Sequence, residues 1–302
     1  MAVSLYQLKK WFRRYVLRSK KIVVQGVGAF YSKNEIKGFY NDLREKITKG
    51  DTLAENELPQ YHQDNGTLFY FSIGIFQYGL GSYDLYLQTW DKKHYRKMLL
   101  CADWAVENQE PSGGWSTFVH LYPDHPYSSM AQGEGISLLL RAYVNEKDEK
   151  YLNAAKKAAA HMLTSLENGG TALREGDEIV LMEYTERPIV MNGWIFSLWG
   201  LYDYLLIVDD PVIKEEYEKS LATLERYIPH YDLGYWTRYD YNFRTASPSY
   251  HKLHIDQFIV MYELTGHEIF REYKERFEKY RDSWLCRNRA FAKKAFEKLH
   301  GR

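Results

Sequence analysis

Apolar and polar positions alternate in four similar segments from about residue 68 onward. Each segment begins with a stretch that is apolar on nearly all sides and continues, after a short polar turn, into a charged amphipathic stretch. A helix that is apolar all round must be buried all round, whereas a helix with a polar stripe can face water. The pattern therefore predicts four helix pairs, each with an inner and an outer member. The inner helices are predicted over 68–87, 129–144, 190–208 and 251–265, and the outer helices over 91–109, 148–167, 211–228 and 267–285.

The predicted helix starts carry residues that suit them. Asp91 and Asp148 are good N-caps, Pro211 fits a first turn, and Ser247 followed by Pro248 marks another start. Repeated pairs with one buried member predict two concentric layers. We therefore predict a mainly α fold, an incomplete α/α toroid over residues 67–302 with short β-strands in its loops. Residues 1–66 are predicted to form a small N-terminal extension, with a basic amphipathic helix and a strand pair in KIVVQGVGAFYS.

The loops that lead into the inner helices, 109–128, 168–189 and 229–250, are rich in glycine, proline and tyrosine. In a two-layer toroid they emerge together above the N-termini of the inner helices, whose N–H groups and dipoles attract anions. Tyrosine is unusually frequent, with 27 residues against 14 phenylalanines and 8 tryptophans. Its ring and hydroxyl suit the faces and hydroxyls of sugars. This combination predicts a cleft for a carboxylated sugar.

Charge and cysteine content exclude several classes of protein. Forty basic residues balance forty acidic ones, so net charge gives no argument for nucleic acid binding. Cys101 and Cys286 are too few for a disulfide framework and show no metal-ligand spacing, which favours reduced, structural cysteines and predicts no metal. No stretch reaches the roughly 18 apolar residues of a membrane span, and the basic N-terminus lacks the apolar core of a signal peptide. We therefore expect a cytoplasmic protein.

An ordered set of motifs is more specific than any of these patterns. The chain carries GGW at 113–115, YSSMAQGEG at 127–135, Glu183 with Tyr184, NGWIFSLWGLYD at 192–203, Tyr239 with Asp240, and SYHKLHIDQ at 249–257. This set resembles the C-terminal helical domain of the D-glucuronyl C5-epimerases over residues 66 to 284. The resemblance implies an incomplete α/α toroid, a homodimer and a cofactor-free reaction that converts D-glucuronate to L-iduronate units in heparan-type chains.

The resemblance also implies the catalytic residues, a Glu-Tyr pair and two further tyrosines. By motif match these are Glu183, Tyr184, Tyr239 and Tyr250. Because removal of the C5 proton adds charge to a carboxylate, the site must also supply cations and hydrogen-bond donors. The substrate-binding residues are predicted to be Tyr127, Gln132, Arg187, Asn192, Arg244, His251 and His254, with Arg244 replacing an arginine that follows the Tyr-Asp pair more closely in the family.

The chemistry divides the proton-transfer roles. Tyrosine, with an ordinary pKa of about 10, is a natural proton donor, whereas a buried glutamate becomes a base near neutrality. We expect Glu183 and Tyr184 on one face of the sugar ring, Tyr250 on the other, and Tyr239 positioning or relaying. Three alternatives stay open: a uronate polysaccharide lyase, a glycoside hydrolase with two carboxylates, and a glycan-binding module without catalysis.

Overall fold

The computed structural model describes residues 5–19, 23–49, 53–63, 66–242 and 244–299. The protein is mainly helical, with 60% of its residues in helices, as the sequence predicts. The chain divides into two compact units. The large unit comprises Gly28–Arg187 and Gly193–Thr223, and the small unit comprises Met1–Val27, Pro188–Asn192 and Leu224–Arg302. The predicted division at residue 66 stays a prediction, and residues 1–66 contribute to both units.

The large unit contains three of the predicted helix pairs. Its elements are β2 (Asn41–Asp42), α2 (Arg44–Thr48), β3 (Tyr61–His62), β4 (Leu68–Phe69), α3 (Ser72–Thr89), α4 (Lys92–Glu107), α5 (Ser129–Glu146), α6 (Glu149–Leu163), β5 (Ala172–Glu175) and β6 (Glu178–Leu181), followed by most of α7 (Met191–Ile207) and α8 (Pro211–Tyr227). In α3 and α5 the first fourteen residues are buried, whereas α4 and α6 bury one face. The inner-helix and outer-helix assignments are therefore confirmed for these pairs, in agreement with a two-layer helical fold.

The predicted helix starts have the expected chemistry. The Asp91 carboxylate accepts from the Lys93 N–H at 3.0 Å, and the Asp148 carboxylate accepts from the Lys150 N–H at the same distance. Pro211 is the first residue of α8. These caps satisfy backbone donors that have no partner within the helix.

Close packing joins the inner helices α5 and α7. A Cβ atom at Gly133 would stand 2.6 Å from the Ser197 Cα, so only glycine fits there. The Ser197 hydroxyl also donates to the Ser129 hydroxyl at 2.8 Å. This contact fixes the start of α7 against the start of α5, which matters because the loops that precede both helices carry predicted site residues.

A buried ion pair lies within the inner layer of the large unit. The Arg141 guanidinium on α5 donates to the Asp203 carboxylate on α7 at 2.6 Å, and both side chains are at most 1% exposed. Asp203 also accepts from the Tyr40 hydroxyl at 2.7 Å, and Arg141 donates to the Gly38 carbonyl at 2.8 Å. The pair thereby ties the segment before β2 to two inner helices.

The small unit combines the two ends of the described chain. Its elements are α1 (Leu5–Tyr15), β1 (Gly26–Val27), α9 (Pro248–Thr265), α10 (Glu268–Asp282) and α11 (Trp284–Leu299). Tyr15, Val16, Tyr235, Trp236 and Ala290 form a buried core. The predicted basic helix and the fourth helix pair are confirmed, and Ser247 caps α9 by accepting from the Tyr250 N–H at 3.3 Å. The prediction did not include α11.

Candidate active site

Glu183 lies two residues beyond β6, in the loop that leads toward α7. Its neighbour Met182 is held by two backbone hydrogen bonds of 2.9 Å, one to the Thr171 carbonyl and one from the Ser129 N–H. The Glu183 side chain is only 6% exposed and packs over Gly193 in the first turn of α7. Its Oε2 has no hydrogen-bond partner among the described residues. The fold therefore buries one carboxylate oxygen without a hydrogen-bond partner from the described residues.

The electrostatic environment of Glu183 suits proton transfer. Burial raises the pKa of its carboxyl group to about 7, against a smaller lowering by the hydrogen bond with Tyr184. A carboxyl group with this pKa is about half ionised at neutral pH, so it can both accept and release a proton there. This is the property that the sequence predicted for the base.

A second buried carboxyl group, that of Glu134, interacts electrostatically with Glu183 and was not among the predicted site residues. Glu134 on α5 is fully buried, and its Oε1 accepts from the Gln77 amide at 2.8 Å. Lys46 in turn donates to the Gln77 side-chain oxygen. Burial raises the pKa of Glu134 to about 8, the Gln77 hydrogen bond and the Lys46 charge lower it, and the Glu183 charge raises it further. The sequence signal for this residue is an acid within the buried stretch of an inner helix.

Aromatic rings and one cation surround Tyr184. Its ring stacks on Phe118, with centroids 4.5 Å apart and planes at 22°. The Arg187 guanidinium lies 5.6 Å from the Tyr184 ring centroid and 5.1 Å from that of Tyr122. The structure thus brings Glu183, Tyr184 and Arg187 together within one loop. Because Arg187 is exposed, its charge is available to a carboxylate ligand.

Tyr127 and Gln132 support the neighbouring loop. The Tyr127 hydroxyl donates to Glu110, and its ring meets His161 edge to face at 4.4 Å. Gln132 is fully buried, and its amide bridges the Gly113 carbonyl and the Trp115 N–H at 3.3 Å each. These contacts hold the GGW loop. The predicted substrate contacts of Tyr127 and Gln132 stay predictions.

The small unit brings the two other predicted catalytic tyrosines together. The ring centroids of Tyr239 and Tyr250 are 4.7 Å apart. The Arg244 guanidinium lies 5.3 Å from the Tyr239 ring centroid and pairs with the buried Asp240. Tyr250, in the first turn of α9, is 37% exposed. Two phenols and one cation therefore form a compact cluster with an open side.

Behind these tyrosines, Thr237 links the two predicted histidines. Its hydroxyl lies 3.0 Å from His251 Nδ1 and 3.2 Å from His254 Nδ1, and His251 Nε2 lies 3.0 Å from the Phe277 carbonyl. Burial lowers the pKa of both imidazoles to about 3, so both are neutral at neutral pH. Neither histidine therefore supplies a positive charge.

The hydrogen bonds assign both tautomers. The Phe277 carbonyl only accepts, so His251 carries its proton on Nε2 and accepts the Thr237 hydroxyl proton at Nδ1. The Thr237 oxygen must then accept from His254 Nδ1–H. His254 Nε2 is consequently a bare acceptor, and it has no partner in the described part of the chain.

Unpaired polar atoms also occur on Asn192 and Gln257. The Gln257 amide donates to the Asn192 carbonyl at 2.9 Å, while Gln257 Oε1 and Asn192 Oδ1 lack partners within the described ranges. Gln257 lies three residues after His254 and seven after Tyr250, so one face of α9 carries all three. Gln257 was not among the predicted site residues, although its spacing from Tyr250 and His254 is visible in the sequence. Most buried polar atoms in folded proteins have a hydrogen-bond partner, and one without a protein partner can bond an ordered water or a ligand.

Metal binding and membrane insertion find no support in the described residues. They contain no group of three or more His, Cys, Asp or Glu side chains that could hold a metal ion. Within the same ranges, none of the helices combines the length and apolarity required for a membrane span.

The fold defines a class, a mainly helical protein whose large unit carries a buried carboxyl group with a raised pKa and whose small unit carries clustered phenols. Residues 113–279 match the family described as D-glucuronyl C5-epimerase C-terminus, and the chain belongs to that family. The D-glucuronyl C5-epimerase of Caenorhabditis elegans is 34% identical over 171 residues, covering 49% of this chain and 28% of that protein. An uncharacterized protein of Methanocaldococcus jannaschii is 27% identical over 155 residues, covering 49% of this chain and 50% of that protein. The matches thus span half or less of these relatives.

Proposed function

We propose that the protein is an epimerase that inverts C5 of D-glucuronate units to L-iduronate in a heparosan-like oligo- or polysaccharide. The observation that carries the proposal is Glu183, whose buried carboxyl group has a pKa of about 7 and an unpaired oxygen among the described residues. A base with this pKa suits removal of a weakly acidic C–H proton at neutral pH. Membership of the epimerase family and the similarity to the nematode D-glucuronyl C5-epimerase support the same reaction.

In the proposed reaction Glu183 accepts the C5 proton, and the electron pair of the C5–H bond moves into the sugar carboxylate to give an enediolate. We propose that Arg187, which is exposed and lies 5.6 Å from the Tyr184 ring centroid, neutralises this charge. A tyrosine then donates a proton to the opposite face of C5. We assign that step to Tyr250, with Tyr239, whose ring centroid is 4.7 Å away, positioning or relaying. One proton leaves and one returns, and exchange with solvent restores both groups.

We propose that Glu134 is a positioning residue for this reaction. Its pKa of about 8 keeps it largely protonated at neutral pH, so it adds no negative charge near Glu183 when the base must ionise. The Lys46–Gln77–Glu134 chain of hydrogen bonds fixes its orientation. A glycoside hydrolase needs two carboxyl groups, and the matched motifs supplied only Glu183. Glu134 would be the second carboxyl group in that alternative.

The deciding experiment incubates the protein with heparosan in deuterated water and follows the uronate C5 position by NMR. Deuterium at C5 with conversion to iduronate supports the proposal. New reducing ends would identify a hydrolase, unsaturated uronate absorbance would identify a lyase, and binding without exchange would identify a glycan-binding module.

Two variants connect the activity to the site. Glu183→Gln should abolish exchange, whereas Glu186→Gln should leave it unchanged, because Glu186 is an exposed acid whose ion-pair contact is His125 at 3.5 Å. Full activity of Glu183→Gln would refute the assigned base.

We also propose that the protein is a homodimer that acts in the cytoplasm on an acidic glycan and needs no cofactor. The family resemblance supports the homodimer and the absence of a cofactor. Sedimentation equilibrium of the purified chain measures the oligomeric state. Turnover after exhaustive dialysis against a chelator tests whether a cofactor is needed.

A further inference from the structure

Charge is distributed very unevenly along this electrically neutral chain. Residues 1–34 and 283–302 contain fourteen Lys and Arg residues and a single acid, Glu297, whereas the remaining residues contain 26 basic and 39 acidic side chains. The described parts of both basic segments belong to the small unit except residues 28–34, which belong to the large unit and contain one of the cations, Lys33. Such a one-sided excess indicates an anionic partner for this unit.

The two basic segments come together as packed helices. The rings of Phe12 on α1 and Phe291 on α11 meet edge to face, with centroids 5.7 Å apart. Beside them lies a groove of about 630 Å³ whose lining includes both phenylalanines together with Leu8 and Leu17. The basic residues that line the same groove are Lys9, Lys10, Arg13 and Arg14. An apolar floor therefore lies next to a basic rim.

The outward side of α11 continues this pattern. Trp284, Leu285 and Leu299 are 60%, 72% and 63% exposed. At 100° per residue they fall within an arc of about 100°, and Arg289 and Lys298 flank that arc on either side. On α1, Phe12 and Leu17 are 41% and 63% exposed. The face formed by α1 and α11, here called the α1–α11 face, thus exposes large apolar side chains between cations.

Several of the cations are available to a partner. Lys9, Lys10, Arg13 and Arg14 form no ion pair among the described residues. Other cations are engaged within the protein, since Arg18 pairs with Asp282 at 2.8 Å and Lys294 donates to the Thr245 carbonyl at 2.8 Å. The available charge is therefore concentrated on α1, along the groove.

These features select one kind of partner. A soluble polyanion would use the cations but gain nothing from exposing Trp284 and Leu285. A second copy of the chain, related by a twofold axis, would bring two basic faces together and be repelled. An anionic lipid bilayer satisfies both features, because interfacial helices bury Trp, Phe and Leu at the acyl boundary while Lys and Arg meet the headgroup phosphates.

We propose that the α1–α11 face is a docking surface for an anionic lipid bilayer, to which the protein binds peripherally. Trp284, Leu285 and Leu299 enter the boundary between headgroups and acyl chains, and the basic residues along the groove contact lipid phosphates. This proposal is independent of the proposed epimerase activity, since none of these residues belongs to the candidate active site.

The test is flotation of the full chain with vesicles of phosphatidylcholine, with and without about a third of phosphatidylglycerol. Binding should require the anionic lipid and weaken at high salt. Lys9→Gln with Arg13→Gln should lower the partition coefficient roughly 25-fold, about fivefold for each charge. Leu285→Ser with Leu299→Ser should lower it about tenfold or more.

Two control variants carry substitutions of the same chemical kind, two cations to glutamine or two apolar residues to serine, on the large unit. Lys156→Gln with Lys157→Gln alters two exposed lysines of α6, and Leu121→Ser with Val212→Ser alters two exposed apolar residues. Both control variants should partition as the wild type does. Because every substituted side chain other than Leu121 lies on the surface of a helix and all are exposed, thermal melting should be similar for all variants.

Three outcomes would overturn the proposal. The first is absence of binding to the anionic vesicles. The second is binding that the leucine variants leave unchanged and that dextran sulfate competes away, which would identify a polyanion site. The third is a lipid-free dimer that the leucine variants convert to a monomer, which would identify the face as a contact between copies.

Discussion

Glu183 lies so close to Gly193 that a Cβ atom on the glycine would stand 2.6 Å from the Glu183 Cβ. Only the absence of a side chain at Gly193 lets the loop after β6 pass over the first turn of α7. The position of the proposed base therefore depends on a residue that takes no part in the chemistry.

Gly193→Ala should displace the Glu183 carboxyl group and reduce C5 exchange strongly. Overpacking of this kind costs about 1–3 kcal/mol of unfolding free energy, which urea denaturation measures. Gly26→Ala is the control, because the nearest atom to its added Cβ is Lys252 Nζ at 3.8 Å. Unchanged exchange in Gly193→Ala would contradict the proposed role of Glu183.

Glu183 should also make stability depend on pH. Its pKa is about 7 in the folded protein and about 4.5 in the unfolded chain. Between these values the unfolded chain releases the proton that the folded protein retains, so the wild type loses unfolding free energy as pH rises. Glu183→Gln cannot ionise and does not lose stability in this way. Relative to the wild type, its free energy of unfolding should therefore rise by about 3 kcal/mol by pH 7, at about 1.4 kcal/mol per pH unit. Urea midpoints from pH 4 to 8 measure the difference, and a difference independent of pH would contradict it.

Glu134 should limit the reaction on the alkaline side. Its pKa of about 8 means that it ionises above that pH and then places a second negative charge near Glu183 and the substrate carboxylate. Glu134→Gln keeps the shape but cannot ionise, so it should retain most exchange at pH 7 and decline less between pH 8 and 9. A profile identical to that of the wild type would show that Glu134 does not influence the reaction.

Thr237→Val should destabilise the small unit by about 2–5 kcal/mol, because it leaves His251 Nδ1 and His254 Nδ1–H buried without their shared partner. Thr237→Ser keeps the hydroxyl, and the loss of the methyl group should lower the free energy of unfolding by about 1 kcal/mol. Chemical denaturation of both variants separates the hydrogen bonds from packing. Equal losses would show that the hydroxyl contributes nothing.

Asp203→Asn should cost about 3–5 kcal/mol of unfolding free energy, because it leaves the Arg141 charge buried without its counter-ion. Glu215→Gln breaks a pair with Lys219 at 2.6 Å on the surface of α8 and should lower the free energy of unfolding far less, because water screens exposed charges. Thermal and urea unfolding measure both. Similar costs would mean that burial does not determine the strength of the Arg141–Asp203 pair.

The periodic parts of the fold were predictable from sequence, and the site was predictable in part. A helix that is buried on all sides needs apolar residues on all sides, so the inner helices can be recognised in the sequence. Asp148 and Pro211 likewise mark where outer helices begin. Residues 21 and 22 of the strand pair predicted in KIVVQGVGAFYS lie outside the described residues, and among residues 23–32 the structure has one strand, β1 at Gly26–Val27, because a short apolar run does not reveal which segment it pairs with. Glu134 and Gln257 could not be predicted as site residues, because their environments are formed by residues distant in sequence. Gln77 donates to Glu134, and Gln257 donates to the Asn192 carbonyl.

The Tyr15 hydroxyl donates to the Ala246 carbonyl at 2.7 Å across 231 residues of chain, and the same core includes Ala290. During synthesis α1 therefore leaves the ribosome long before the segments that cover it exist. Closing so long a loop is slow and entropically costly, so the small unit should mature last. Until α11 is synthesised, the aromatic side chains of α1 stay exposed to solvent. A nascent chain stalled before α11 should therefore bind chaperones.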